Sequence, residues 1–198
     1  MELDKLDPHR LLIILSLYSG RDPTELFAKY EIPYSEYPIL KEASIGVGAN
    51  EWREIILRLA GKGYLHEISE IITWRDFERL TAMIFVEYGF QVYQGLRIKR
   101  YEYDVVASKE GVTFCIDCKQ WNRVLYPSTI RRIAEGLYRR CPYLKERFDG
   151  DIYPLITSLL STRHYFIKGV GVIPITLLND FLLNLKYVID KGLIKPIT

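Results

Sequence analysis

The stretch that decides the fold is Tyr101-Glu102-Tyr103-Asp104-Val105-Val106-Ala107, which a Ser-Lys-Glu-Gly turn joins to Val112-Thr113-Phe114-Cys115-Ile116-Asp117-Cys118-Lys119-Gln120-Trp121. Both halves are rich in β-branched and aromatic residues, a pattern that predicts two strands joined in a hairpin. Alternate strand residues share a face, which places Cys115, Asp117 and Lys119 together. A two-residue turn puts Asp104 directly opposite Asp117, and a three-residue turn shifts this pairing by one.

Two carboxylates that face each other in a mostly apolar hairpin repel strongly unless a positive charge lies between them. A hard divalent cation with oxygen ligands relieves that repulsion. Lys119, on the same face as Asp117, would hold an ammonium group beside a water on such an ion. The pattern predicts metal-assisted hydrolysis. The alternative is an exposed hairpin in which Lys119 neutralises the acids, but apolar residues on both faces favour covered strands.

The spacing Asp104-x12-Asp117-Cys118-Lys119 resembles the PD-(D/E)xK motif of restriction-endonuclease-like nucleases. The preceding segments Phe77-Glu78-Arg79-Leu80 and Glu87-Tyr88-Gly89-Phe90 are similar to the opening helix of Mrr-like and archaeal Holliday-junction-resolvase-like members. The resemblance covers roughly residues 73–173 and is strongest over 73–121. Two positions depart from the pattern: Tyr103 stands in the place of proline, and Asp117 stands where many relatives have glutamate.

The resemblance implies a metal-dependent endodeoxyribonuclease with a restriction-endonuclease-like fold. Asp104, Asp117 and the Cys118 backbone carbonyl would hold Mg²⁺, with Mn²⁺ able to substitute. Glu78 would assist directly or through water, and Lys119 would position the attacking water. Glu78 falls at the edge of the buried stripe of its helix, which suits this role and also suits a solvated flank position. Symmetric cleavage of a duplex or junction calls for a homodimer.

Two other functions remain open on the sequence. The same fold with an idle metal site would bind DNA or a protein partner. Residues 88–95 also have a passing likeness to tRNA-splicing endonuclease subunits, whose metal-free chemistry uses a Tyr-His-Lys set. No histidine lies between His66 and His164, which disfavours that third function.

Basic residues concentrate after the motif, with eight basic and two acidic residues from Lys119 to Phe148, whereas the net charge of the whole chain is only +2. Four arginines of a helix predicted over residues 128–147 recur at spacings of seven and eight, and we expect them to share one side. Such a side would contact the phosphate backbone without reading its sequence, although a solvated helix face gives the same pattern. The expected DNA-binding residues are Arg123, Arg131, Arg132, Arg139 and Arg140.

The predicted domain boundary is near residue 70. Residues 1–70 show helical spacing, with Asp7 as a cap and a strand predicted at residues 64–68. They predict a helical, winged-helix DNA-binding domain or, alternatively, a helical cap or dimerising module without DNA contact. Residues 71–198 predict an α/β domain with a mixed sheet flanked by helices. Its expected strands are 91–98, 101–108, 112–121, 152–160 and 166–173, and its helices are 74–88, 128–147 and 176–190.

Composition sets broader limits. The chain has 198 residues, 48% apolar and 26% charged, which excludes collagen-like and disordered classes. The apolar run Leu11 to Leu17 is too short to span a bilayer, so we expect no membrane association. Three cysteines make a disulfide framework unexpected and favour a cytoplasmic location. Cys115 and Cys118 face opposite sides of their strand, so we expect neither a shared metal nor a bridge between them.

Overall fold

The computed structural model describes residues 3–120, 126–159 and 166–197. The chain divides into two compact units, Met1–Thr73 and Trp74–Thr198. Over its described residues the first unit consists of helices without strands. These helices are α1 (Pro8–Tyr18), α2 (Thr24–Lys29), α3 (Tyr37–Ile45), α4 (Ala49–Gly61) and α5 (Leu65–Ile71), with 3₁₀ turns at Leu3–Lys5 and Tyr34–Glu36.

The first unit is organised around α1. Residues 11 to 15 of this helix are fully buried, and α1 packs against α2, α3, α4 and α5. A helix that is apolar on all sides is stable only when other elements surround it. Asp7 caps the helix as predicted, since its carboxylate accepts hydrogen bonds from the backbone N–H groups of His9 (2.9 Å) and Arg10 (3.2 Å). Neither α1, with 11 residues, nor any other helix in the described ranges is long and apolar enough to cross a bilayer.

The strand predicted at residues 64–68 is wrong, because this segment belongs to α5. Ile68, Ile71 and Ile72 are buried together at helical spacing. An apolar pattern over only five residues fits a strand and a helix almost equally, and the residues that follow decide for the helix. The wing that this strand would have formed is therefore absent from residues 3–73.

The second unit has the predicted mixed sheet flanked by helices. Its elements are α6 (Trp74–Glu87), β1 (Gln91–Ile98), β2 (Tyr101–Lys109), β3 (Val112–Lys119), α7 (Pro127–Arg140), β4 (Asp151–Ser158), β5 (Phe166–Ile167), β6 (Val170–Pro174), α8 (Leu178–Leu183) and α9 (Leu185–Asp190). The strand order is β1-β2-β3-β4-β6-β5, with β3, β4 and β6 parallel and the other pairs antiparallel.

Three predicted elements are shorter than the sequence suggested. The helix expected over 128–147 ends at Arg140 and continues as a 3₁₀ turn, Cys141–Glu146, because Pro142 has no N–H to donate to the carbonyl of Tyr138, four residues earlier, and its ring crowds that carbonyl. The strand expected over 166–173 is a tight hairpin, β5 and β6, around Lys168 and Gly169, whose φ angles are positive. The last helix is divided at Asn184 into α8 and α9.

Both faces of the sheet are covered. On one face Phe114 of β3 contacts Phe85 of α6 and Phe181 of α8. On the other face Cys115 belongs to a buried cluster with the α7 residues Ile130 and Leu137. The chemistry of β3 is therefore confined to the end of the strand, where Asp117 and Lys119 follow this buried core.

A disulfide joins Cys115 of β3 to Cys141 at the end of α7, with the Cα atoms 5.9 Å apart. The expectation that the chain lacks disulfides is wrong. Because α7 lies across β3, it brings together two cysteines that are 26 residues apart in sequence. Cys118 faces away from this bridge and is a free thiol, so the expectation that Cys115 and Cys118 do not pair is confirmed.

Candidate active site

The turn of the β2–β3 hairpin determines which residues meet at its open end. Glu110 and Gly111 form a two-residue turn, with φ angles of 48° and 79°. Such a turn requires positive φ at both positions, and glycine adopts it without strain. The ladder runs from Lys109 opposite Val112 to Val105 opposite Ile116. The next position along this register places Asp104 opposite Asp117, as the two-residue alternative predicted.

The regular strand pairing of β2 is interrupted at Asp104. In the pairing of β2 with β1, Asp104 and the residue opposite it, Gly95, are not paired, and the φ angle of Gly95 is 58°. In the pairing of β2 with β3, the last paired residue of β2 is Val105, next to Asp104. Tyr103 and Val106 lie in the same buried cluster beneath α7, although strict alternation would put them on opposite faces. The irregularity frees the Asp104 carboxylate from the regular pleat.

The side chain of Asp104 accepts a hydrogen bond from the backbone of β3. Its Oδ2 accepts a hydrogen bond of 2.8 Å from the Cys118 N–H. The N–H and C=O of one strand residue point to the same side of the strand. The Cys118 carbonyl is therefore directed toward the side on which Asp104 lies, which adds a backbone oxygen to the site.

Asp117 is buried, with 6% of its surface exposed, and two basic side chains contact its carboxylate. Its Oδ1 contacts the Lys119 ammonium group, and its Oδ2 contacts Nη2 of Arg140. The Lys119 and Arg140 side chains are themselves largely buried, at 22% and 19% exposure. A carboxylate removed from water is stable only with such compensation, so the two cations account for a charge at this depth.

The carboxyl groups of the site are electrostatically coupled. Burial and the nearby charge of Asp117 raise the pKa of Asp104, while the Cys118 N–H, Lys119 and Arg140 oppose this increase. Burial and then the charge of Asp104 raise the pKa of Glu78, on α6, to about 7. A cation bound beside Asp104 and Glu78 would oppose both shifts.

The donors present fit a magnesium ion that keeps part of its water shell. Mg²⁺ is commonly held by one or two carboxylates together with waters and substrate oxygens. Asp104, Asp117 and the Cys118 carbonyl supply that set. Across residues 3–120, 126–159 and 166–197, no three His, Cys, Asp or Glu side chains lie close enough to hold one ion. Glu78 is thus not a third direct ligand in this arrangement, and an action through water suits its position better.

The basic residues predicted on α7 do not all share one side. Arg131, Arg132 and Arg139 are exposed, whereas Arg140 turns inward to Asp117. At about 100° per residue, Arg140 lies roughly 180° around the helix from Arg131, so the expectation of one common side is wrong. Arg123 lies outside the described residues.

Sequence reasoning missed the residues that hold Arg140. The Tyr103 hydroxyl donates a 2.6 Å hydrogen bond to the Arg140 carbonyl, and the next residue, Cys141, forms the disulfide to β3. The only signal in the sequence was the presence of Tyr103 where the resembling family has proline.

Comparisons with known proteins find three similarities. The restriction endonuclease family model Mrr_cat matches residues 69–140. An uncharacterized protein of Archaeoglobus fulgidus is 31% identical over 119 residues, which cover 58% of this chain and 92% of that protein. Among solved structures, the small subunit of the heterodimeric restriction endonuclease R.BspD6I aligns with a TM-score of 0.44 at 16% identity, over 68% of this chain and 78% of the subunit.

Proposed function

Because the chain belongs to the PD-(D/E)xK restriction-endonuclease-like nuclease superfamily, we propose that it is a metal-dependent endonuclease that hydrolyses phosphodiester bonds in DNA. The observation that carries this proposal is that Asp104 and Asp117 come one residue beyond the last pair of the β2–β3 ladder, where Asp104 accepts a hydrogen bond from the Cys118 N–H and the Lys119 ammonium group contacts Asp117. Two carboxylates and an ammonium group in this arrangement can hold a divalent cation and orient a water beside it.

Mg²⁺ held by Asp104, Asp117 and the Cys118 carbonyl would supply a Lewis acid that neutralises negative charge and lowers the pKa of water. Lys119 would orient the attacking water by hydrogen bonding and stabilise the charge that develops on the phosphate oxygens. Glu78, with a pKa of about 7, would accept a proton from water near neutral pH. Mn²⁺, with similar ligand preferences, would substitute for Mg²⁺.

The exposed arginines of α7 would bind the DNA backbone. Arg131, Arg132 and Arg139 present guanidinium groups to solvent on the unit that also contains the site. Contacts of this kind position a duplex without reading its sequence, and their strength falls as the salt concentration rises.

The first test is cleavage of supercoiled plasmid, linear duplex and a four-way junction with Mg²⁺, Mn²⁺ or EDTA. We expect metal-dependent cutting by the wild-type protein and none by Asp117→Asn. Asp149→Asn, at an exposed position of the same unit, is the matched control and should cut normally. Cutting that persists in EDTA, or in Asp117→Asn, would contradict the proposed site.

One observation favours a second candidate, a nuclease-fold module that binds DNA without cutting it. Both oxygens of Asp117 are already contacted by cations, Lys119 and Arg140, so a metal must compete for this carboxylate. A folded wild-type protein that binds all three DNA substrates and cuts none in either metal would support this candidate over the nuclease.

We further propose that cutting both strands of a duplex symmetrically involves two copies of the chain. Sedimentation of the protein with and without duplex DNA measures this directly. A monomer that makes symmetric double-strand breaks would contradict the proposal.

A further inference from the structure

We propose that Arg140 is a positioning residue of the site: it holds the Asp117 carboxylate as an internal counter-cation and is displaced when a divalent metal binds, so that it sets the metal affinity of the site. This inference rests on the proposed function, because it assumes that Asp117 is a metal ligand. It assigns Arg140 to the acidic centre, apart from the exposed arginines of α7.

The first observation is the competition for one carboxylate. Arg140 contacts Oδ2 of Asp117 with Nη2, and both side chains are largely buried, at 19% and 8% exposure. Hydrogen bonds between ionised groups are stronger than neutral ones and are least screened away from water. A metal that binds Asp117 must replace this contact, so the contact lowers the apparent affinity for the metal.

The second observation is that the backbone beside Arg140 is fixed from two directions. The Tyr103 hydroxyl donates a 2.6 Å hydrogen bond to the Arg140 carbonyl, and the guanidinium lies 6.0 Å from the centroid of the Tyr103 ring. The adjacent Cys141 is bonded to Cys115, two residues before Asp117 on the same strand. The cross-link therefore fixes the end of α7 close to the carboxylate that Arg140 neutralises.

The third observation is an unused donor. Nε of Arg140 is buried and has no hydrogen-bond partner among the described residues. A guanidinium can bind a phosphate through two parallel N–H groups. Once a metal holds Asp117, the freed Arg140 would bind a phosphate oxygen of the DNA next to the site with Nε and Nη2, which would satisfy this donor.

The test is a direct measurement of Mn²⁺ binding by electron paramagnetic resonance, without DNA. We expect Arg140→Met to bind Mn²⁺ about tenfold more tightly than the wild-type protein, since the metal then no longer displaces a charged hydrogen bond from Asp117. Arg140→Lys, which keeps the positive charge, should restore most of the wild-type affinity. Arg147→Met, which removes an exposed arginine of the same unit, should leave it unchanged. Damage to the fold would weaken binding, so tighter binding cannot arise from misfolding.

The supporting contacts give a second measurement. Tyr103→Phe removes only the hydroxyl, and Cys115→Ala/Cys141→Ala removes the cross-link; substitution is needed because both cysteines are fully buried. Each change should increase Mn²⁺ affinity by less than Arg140→Met does. Combined with Arg140→Met, neither should add a further increase, because each acts through Arg140.

The outcomes separate the inference from the proposed function. Unchanged or weaker Mn²⁺ binding in Arg140→Met, with binding lost in Asp117→Asn, would overturn the role of Arg140 and leave the metal site intact. Mn²⁺ binding that is absent from the wild-type protein and every variant, or that persists in Asp117→Asn, would overturn the metal site and the inference with it. Additive effects in the combined variants would show that Tyr103 and the disulfide act independently of Arg140. This result would overturn the inference that these contacts hold Arg140 in place.

Discussion

Residues 1–73 carry twelve acidic and eight basic side chains, whereas residues 74–198 carry thirteen acidic and nineteen basic ones. The net charge of +2 for the whole chain conceals a first unit near −4 and a second unit near +6. A polyanion such as DNA is attracted to the second unit and repelled by the first. For a chain of two units, the charge of each unit is thus more informative than the total.

The interiors of the two units also differ in the polar side chains that they bury. The described part of the first unit buries apolar side chains with only Ser16 and Ser44 as polar exceptions, while the second also buries the acidic side chain of Asp117. Burying a charge is unfavourable unless partners compensate it, and such an arrangement is common at functional sites. We therefore expect the first unit to affect nuclease activity and DNA binding much less than the second.

The largest expected effect is at the acidic centre. Lys119→Ala should reduce cleavage by at least about 100-fold while DNA binding is retained, because the ammonium would act mainly on the transition state. Lys145→Ala, an exposed lysine of the same unit, is the control. Single-turnover cleavage and equilibrium binding measure the two properties separately. Cleavage at the wild-type rate by Lys119→Ala would remove this residue from the mechanism.

The next largest effect is on DNA binding, and it tests whether the charge of the second unit matters more than that of the first. Arg131→Glu/Arg132→Glu should weaken binding and reduce the slope of log K against log salt by about two, one for each phosphate contact. Arg21→Glu/Lys62→Glu makes the same change of charge at exposed positions of the first unit and should leave affinity unchanged. Fluorescence anisotropy across a salt series measures both. Equal losses in the two variants would show that the first unit also contacts DNA.

The disulfide is another difference, because all three cysteines lie in the second unit. Unfolded protein should show one reactive thiol before reduction and three afterwards, as counted with a thiol reagent. Cys115→Ala/Cys141→Ala should lower the free energy of unfolding by about 3 kcal/mol, the loop entropy of a cross-link of this span. Denaturant unfolding measures this change. Three thiols without reductant would disprove the bridge.

The smallest expected effect is on pH dependence. Glu78 has a pKa of about 7 in the folded protein and an ordinary value near 4.5 when unfolded. Between these values the folded state binds more protons, so the stability of the metal-free protein should fall as the pH rises from about 4.5 to 7. Glu78→Gln should flatten this part of the profile in thermal unfolding scans. Glu87→Gln, at the exposed end of the same helix, is the control. A profile that is identical in the wild-type protein and Glu78→Gln would show that Glu78 ionises normally.

The parts of the fold that local sequence determines were predictable. The two strands and their hairpin followed from the residue pattern, which left a two-residue and a three-residue turn open, and the register of the structure agrees with the two-residue turn. The inward orientation of Arg140 could not be derived, because it depends on how α7 packs across β3. The Cys115–Cys141 bridge depends on the same packing. The wrongly predicted strand at residues 64–68 has a simpler cause, since the apolar pattern of five residues does not distinguish a strand from a helix.

The Cys115–Cys141 bridge also closes part of the chain into a covalent ring. This ring contains Asp117 and Lys119 together with the arginines of α7. A single proteolytic cut between residues 116 and 140 would open the ring without separating the fragments. The strand β3 and the end of α7 would then stay attached to each other, and the cut would be visible on a denaturing gel only after reduction.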